Sequence, residues 1–106
     1  LAIRDYEGAP MKVITICGSM RFDSEMKEIA KVLEIENNFC VLQCIYNEGN
    51  KPFDSETVKK LALAHYKKID LSDAIYVVNI DGYIGESVKE EIQYALSKNL
   101  EIIYHQ

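Results

Sequence analysis

The stretch "AIYVVNIDGYIGESVKEEIQYAL", residues 74–96, decides how the chain folds. Its first seven residues are almost all β-branched or aromatic, with no polar alternation, which is how a strand covered on both faces reads. Its last nine place Val88, Ile92, Ala95 and Leu96 on one stripe, the spacing of an amphipathic helix. Between them, Gly82 and Gly85 punctuate a turn. A buried strand delivered directly into a helix is half of a βαβ unit, and that unit implies a parallel sheet.

The same alternation extends in both directions. Three further β-rich runs are "KVITICG" (12–18), "FCVLQCIY" (39–46) and "EIIYHQ" (101–106). Residues 24–35 carry Met26, Ile29, Ala30 and Leu33 at helical spacing. Residues 55–69 carry Val58, Leu61, Ala62, His65 and Ile69 in the same way. The resulting order, four strands alternating with three helices, predicts an α/β fold. It is a three-layer, flavodoxin- or Rossmann-like parallel sheet of order about 2-1-3-4, with helices on both faces. The clear loop is the polar "NEGNKPFDS" (47–55). Four strands make a thin sheet, so its edges are expected to be covered by another copy, in a homodimer or larger homo-oligomer.

A chain of 106 residues with 48% apolar composition is expected to be one domain over residues 11–106. Residues 1–10, which end in Gly-Ala-Pro before Met11, read as an N-terminal extension or cloning remnant. Net charge is −5, with 17 acidic against 12 basic residues. That balance argues against a nucleic-acid polymer or an anionic membrane as partner, since both demand a basic surface. No apolar run is long enough to span a bilayer. The three cysteines, Cys17, Cys40 and Cys44, form no CxxC, and the two histidines have no metal-ligand spacing. Buried thiols of a cytoplasmic protein, with no metal and no cofactor, are the expectation.

In a sheet of this order the ligand crevice lies at the carboxyl ends of the strands, between the first (β1, residues 12–18) and the third (β3, residues 74–80), where the strand order reverses. Two glycine-bearing turns, "CGSMRF" (17–22) and "DGYIGES" (81–87), converge there. Gly18 allows a sharp turn after β1, and the amides that follow could receive an anion with Arg21 as a clamp; strand termination and a Ser19 cap explain the same residues. Neither a GxGxxG nor a P-loop pattern is present. Ser87 and Glu90 read as an S-x-x-E capping box. On a helical wheel with Val88 at 0°, Glu90 falls at ~200°, toward solvent, and Glu91 at ~300°, on the shoulder of the buried stripe. A carboxylate so placed is partly desolvated and needs a partner or a function, although complementing the helix dipole also explains it. His65 interrupts the apolar stripe of the second helix. If that helix is continuous from Ser55, His65 lies ~15 Å down it, away from the crevice. A core histidine is the simpler reading. Tyr83 is the one tyrosine on a crevice loop, where it could stack on a base or sugar.

"CGSMRF" followed by "KIDLSDAIYVVNIDGYIGESVKEEIQYALSKNLEIIYH" (68–105) resembles the nucleoside 2-deoxyribosyltransferase superfamily. It is most similar to the small bacterial and phage-type members and to the 2'-deoxynucleoside 5'-phosphate N-hydrolases. The resemblance covers residues 12–22 and 65–105. It implies that Glu91 in "EIQYA" is a nucleophile attacking C1' of an N-glycoside, with Gln93 where a glycine is usual. Gly18, Ser19 and Arg21 would form a 5'-phosphate loop, to which Ser87 could add a hydroxyl. Gly82, Tyr83 and Gly85 are candidate binding residues from their place on the converging turn, not from the resemblance. The chain departs from the family in three ways. The tyrosine that orients the nucleophile from β1 is replaced by Thr15 or Ile16. No acidic group near the leaving base is evident in the second helix, where His65 is the closest candidate. The chain is also shorter than its relatives would be, without a fifth strand. Cleavage or transfer of a nucleoside or nucleotide is therefore expected, with a non-catalytic nucleotide-binding module as the alternative. A flavoprotein is disfavoured, because no Ser/Thr-rich phosphate loop follows β1. A pure scaffold would require both glycine turns to be coincidental.

Overall fold

The computed structural model describes residues 10–106, so the reading of residues 1–10 as an extension lies outside the described residues, Pro10 apart. The elements are β1 (Val13–Gly18), α1 (Asp23–Ile35), β2 (Cys40–Leu42), α2 (Ser55–Asp70), β3 (Ala74–Val78), α3 (Glu86–Ser97) and β4 (Glu101–Tyr104). Short 3-10 turns, Met20–Phe22 and Ile80–Gly82, follow β1 and β3. The sheet is entirely parallel, in the order β2-β1-β3-β4. The α/β architecture and strand order read from the sequence are therefore those of the structure.

Because side chains alternate along a strand, β1 feeds two cores at once. Ile14 and Ile16 point toward α1 and pack with Met26, Ala30, Leu33, Val41, Ala74 and Val78. Cys17 points the other way, into Ile69 of α2, Ile75 and Val77 of β3, and Val88, Ile92 and Ala95 of α3. α1 thus covers one face, with α2 and α3 on the other. Thr15, also fully buried, is satisfied by the Ser72 hydroxyl at 2.7 Å, and Ser72 in turn donates to the Lys68 carbonyl. Asp73 opens β3 by accepting the Val13 amide at 2.8 Å, which ties the start of β1 to its neighbour.

Three sequence expectations need correction. The predicted strand over 39–46 is paired only at Cys40–Leu42, because residues 43–46 leave the sheet to form the wall of a cavity. That segment is held by Lys27, which meets Glu48 at 2.5 Å and lies over the Tyr46 ring, and by Lys68, which donates to the Gln43 carbonyl at 2.6 Å. The predicted capping box is absent. α3 begins two residues earlier than expected, with Gly85 in extended geometry at the N-cap and its carbonyl accepting from Lys89, so Ser87 sits exposed inside the first turn. Leu96 is 50% exposed rather than part of the buried stripe.

Gly18 is required by packing. A Cβ built there would sit 2.9 Å from Met26 Sδ and 3.1 Å from Val78 Cβ, and the latter belongs to a central strand. Gly82, by contrast, meets nothing but has φ +77°, next to Asp81 at φ 55°, so this left-handed pair is what turns the chain after β3. Gly18→Ala is expected to destabilise the fold by about 1–3 kcal/mol through overpacking, read as a lowered midpoint in denaturant unfolding with unchanged slope.

Candidate functional site

Three side chains from three elements meet at the carboxyl end of β1. His65 Nε2 of α2 lies 3.3 Å from Glu91 Oε1 of α3 and 3.5 Å from Cys17 Sγ of β1. The side chains of His65 and Glu91 are 11% and 15% exposed, and Cys17 is fully buried. The helical wheel placed Glu91 on the shoulder of the α3 stripe, and there it is, while Glu90 faces solvent. A half-buried carboxylate is costly without a donor, and the imidazole supplies one.

The expectation that a continuous α2 would carry His65 away from the site is overturned. α2 is continuous over its 16 residues, yet His65 meets Cys17 at the carboxyl end of β1. The reason is that the helix overhangs the sheet. Among its residues only Tyr66 and Ile69, both beyond His65, pack into the sheet core, while Val58 is 51% exposed. The first ten residues of α2 extend past the strand ends, so ~15 Å along the helix brings the chain down to the sheet edge rather than away from it.

That overhang encloses a cavity of about 460 Å³, within the ~300–1,000 Å³ range of small-molecule sites. Its walls are mainly apolar, with Ile16, Met20 and Met26 on one side and Phe53, Val58 and Leu61 on the other. Glu91, His65, Lys68 and Asn47 are the polar side chains among its described lining, and the Lys68 ammonium is already engaged by Gln43. Of the residues singled out from the sequence, Gly18, His65 and Glu91 line this cavity.

Ser19, Arg21, Gly82, Tyr83, Gly85 and Ser87 do not line it. The first five lie around the turns after β1 and β3, which do converge as the strand order requires, but the space between them is filled. The Arg21 guanidinium lies 3.8 Å from the centre of the Tyr83 ring, Phe22 meets the same ring edge-on, and the Tyr83 hydroxyl lies beside Gly85. The Ser19 hydroxyl caps its own turn, accepting the Arg21 amide at 3.3 Å. The cavity instead opens on the β2 side of β1, where residues 43–46 leave the sheet.

Cys17 is the site residue the sequence reading passed over as a mere buried thiol. Strand alternation was the available signal, since residue 17 must face the α2/α3 layer at the strand end. Burial, with the Glu91 charge beside it, pushes the Cys17 thiol well above the ordinary value. A thiol held protonated is a poor nucleophile. His65 also cannot act as a relay between Cys17 and Glu91, because Nε2 faces both and Nδ1 is buried without a partner. A catalytic triad needs both ring nitrogens engaged. The arrangement therefore presents Glu91 as the reactive group, with the other two beside it.

The raised thiol has a thermodynamic consequence. The folded state keeps a proton that the unfolded chain releases above about pH 8.5, so this contribution to stability is complete below that pH and is lost as pH rises beyond it. Cys44 is raised as well, by burial, so the comparison is made with Cys44 already serine. In that background Cys17→Ser is expected to flatten the fall in unfolding free energy between pH 8 and 10, by up to ~1.4 kcal/mol per pH unit. An unchanged slope in denaturant titrations would contradict the assignment.

Compared with protein-family models, curated proteins and solved structures, the chain finds no significant match in any of the three.

Proposed function

We propose that this protein cleaves or transfers the N-glycosidic bond of a nucleoside or nucleoside 5'-monophosphate, with Glu91 as nucleophile. The observation that carries the proposal is a half-buried carboxylate, backed by His65, on the wall of an otherwise apolar cavity. Glu91 attacks C1' as the base departs from an oxocarbenium-like transition state, and water or a second base resolves the glycosyl ester. The His65 Nε2–H orients the attacking carboxylate. Cys17 stands at the end of β1, the strand from which the family resembled supplies a tyrosine. Thr15 cannot take that part, being held by Ser72, and Ile16 offers no polar atom.

The filled turn around Arg21 and Tyr83 favours the neutral nucleoside over its monophosphate. A phosphate would have to draw Arg21 off the Tyr83 ring. The apolar walls suit the faces of a base, with Asn47 in reach of its edge.

A second reading, a nucleotide- or nucleoside-binding module without turnover, is favoured by one observation. Retaining glycosidases pair their nucleophile with a second carboxyl ~5–5.5 Å away, and Glu91 is the only carboxylate lining the described cavity. In either reading the chain works as a homo-oligomer, a proposal supported by the short edge strands β2 and β4 and by the exposure of Leu63 and Leu71. None of the described helices is long and apolar enough to cross a membrane.

The test is base release from a panel of nucleosides and 5'-monophosphates, followed by chromatography. Wild type is expected to release base, and Glu91→Gln to lose ~10³-fold or more. Arg21→Ala should alter turnover of monophosphates more than that of nucleosides. Release that survives in Glu91→Gln would rule out the nucleophile, and saturable nucleoside binding without release would establish the binding module.

A further inference from the structure

The same three side chains have a second chemistry that does not depend on glycoside cleavage. We propose that Cys17, His65 and Glu91 form a binding site for one thiophilic divalent cation, Zn²⁺ by preference, with its fourth coordination position open to the cavity.

Geometry is the first argument. A tetrahedral ion bonded at ~2.3 Å to sulfur and ~2.05 Å to nitrogen and oxygen sets its sulfur and nitrogen ligands ~3.55 Å apart, and its nitrogen and oxygen ligands ~3.35 Å apart. The corresponding separations are 3.5 Å for Cys17 Sγ to His65 Nε2 and 3.3 Å for His65 Nε2 to Glu91 Oε1. The third pair, Cys17 Sγ and a Glu91 oxygen, lies within 4.8 Å, against the ~3.55 Å of the complex. They are carried by a central strand and two packed helices rather than by loops, so little ordering remains to be done when an ion enters.

Charge is the second argument. A thiolate and a carboxylate together neutralise a divalent ion, so the complex adds no net charge to a largely desolvated place. The ion enters in exchange for the thiol proton. The Cys17 S–H bond breaks, a sulfur–metal bond forms and that proton leaves to solvent, while the ring proton of His65 passes from Nε2 to Nδ1 so that the Nε2 lone pair binds the ion, with no change of oxidation state. The ligand set selects the metal, since thiolate with imidazole suits Zn²⁺ and is a poor match for Mg²⁺ or Ca²⁺. Three protein ligands and one open position facing a cavity is the pattern of an accessible site rather than a closed structural one. His65 and Glu91 line that cavity, and Cys17 lies behind them.

Two features set the strength and the consequence of binding. His65 Nδ1 has no partner, and a metal-bound histidine is normally oriented by a hydrogen bond at its second nitrogen. The site is therefore weaker than one with that support. A metal on Glu91 also occupies the carboxylate lone pair that would attack a sugar, so the loaded form is inactive in the proposed reaction and the ion acts as an inhibitor of it.

The test uses the full chain, stripped with chelator and titrated with Co²⁺. A thiolate-to-cobalt charge-transfer band in the near ultraviolet, saturating at one ion per chain with release of at least one proton per ion and displaced by equimolar Zn²⁺, is the expected result. Cys17→Ser should abolish the band. Glu91→Gln should weaken Co²⁺ binding by more than ~10-fold, since even outer partners of a metal site command that much. Cys40→Ser, which alters a thiol outside the cavity, should leave it unchanged. No band, or a band that persists in Cys17→Ser or is removed by Cys44→Ser instead, would overturn the proposal. If Cys17→Ser does not fold, the Glu91→Gln titration decides. No nucleoside enters the experiment, so its outcome stands apart from that of the base-release assay.

Discussion

A strand that lies between two others and is covered on both faces has most of its backbone withdrawn from water, and β1 is that strand here. It pairs with β3 from Ile14 to Gly18 and with β2 from Val13 to Thr15, while Ile14, Thr15, Ile16 and Cys17 are all fully buried. Every other feature is placed relative to it. Gly18 ends the strand because Met26 and Val78 leave no room for a Cβ. Cys17 has to face the α2/α3 layer, and that layer then brings His65 and Glu91 to the same point.

The site combines groups that would each be unfavourable alone. A buried thiol, a nearly buried imidazole and a half-buried carboxylate are expensive to desolvate separately, but together they exchange hydrogen bonds and keep the thiol protonated. Removing one partner from such a group costs more than the pair contributes, because it leaves the other buried and unmatched. The unpartnered Nδ1 of His65 is the one polar atom among the described side chains for which this compensation is incomplete. Groups held at such expense within a cavity wall are where chemistry or ligand binding is expected. Glycoside cleavage uses the carboxylate of this cluster, and a thiophilic ion uses all three of its members.

The overhang of α2 is the geometric device that makes a cavity out of a thin sheet. α2 packs on the sheet core only near its end, through Tyr66 and Ile69, so its first ten residues project beyond the strands. Residues 43–54 rise with it, pinned by Lys27 and Lys68. The enclosed space is lined by apolar residues that a helical wheel alone would have assigned to the core. Val58, Leu61 and Ala62 share the stripe of His65 and Ile69 in sequence, yet they face the cavity instead of the sheet.

Local periodicity in the sequence determined the order of elements, the parallel sheet, the two faces of β1 and the exceptional position of Glu91, since each follows from a repeat of 2 or 3.6 residues acting over a few neighbours. It also pointed to the convergence of the two glycine turns, because strand order alone requires it. Only the tertiary structure decided that Arg21 and Tyr83 fill that crevice, that the cavity opens on the other side of β1, and that Cys17 and His65 join Glu91. Those outcomes depend on how far α2 extends beyond the strands and where residues 43–46 leave the sheet. Both are balances of packing between distant segments, and no local pattern encodes them.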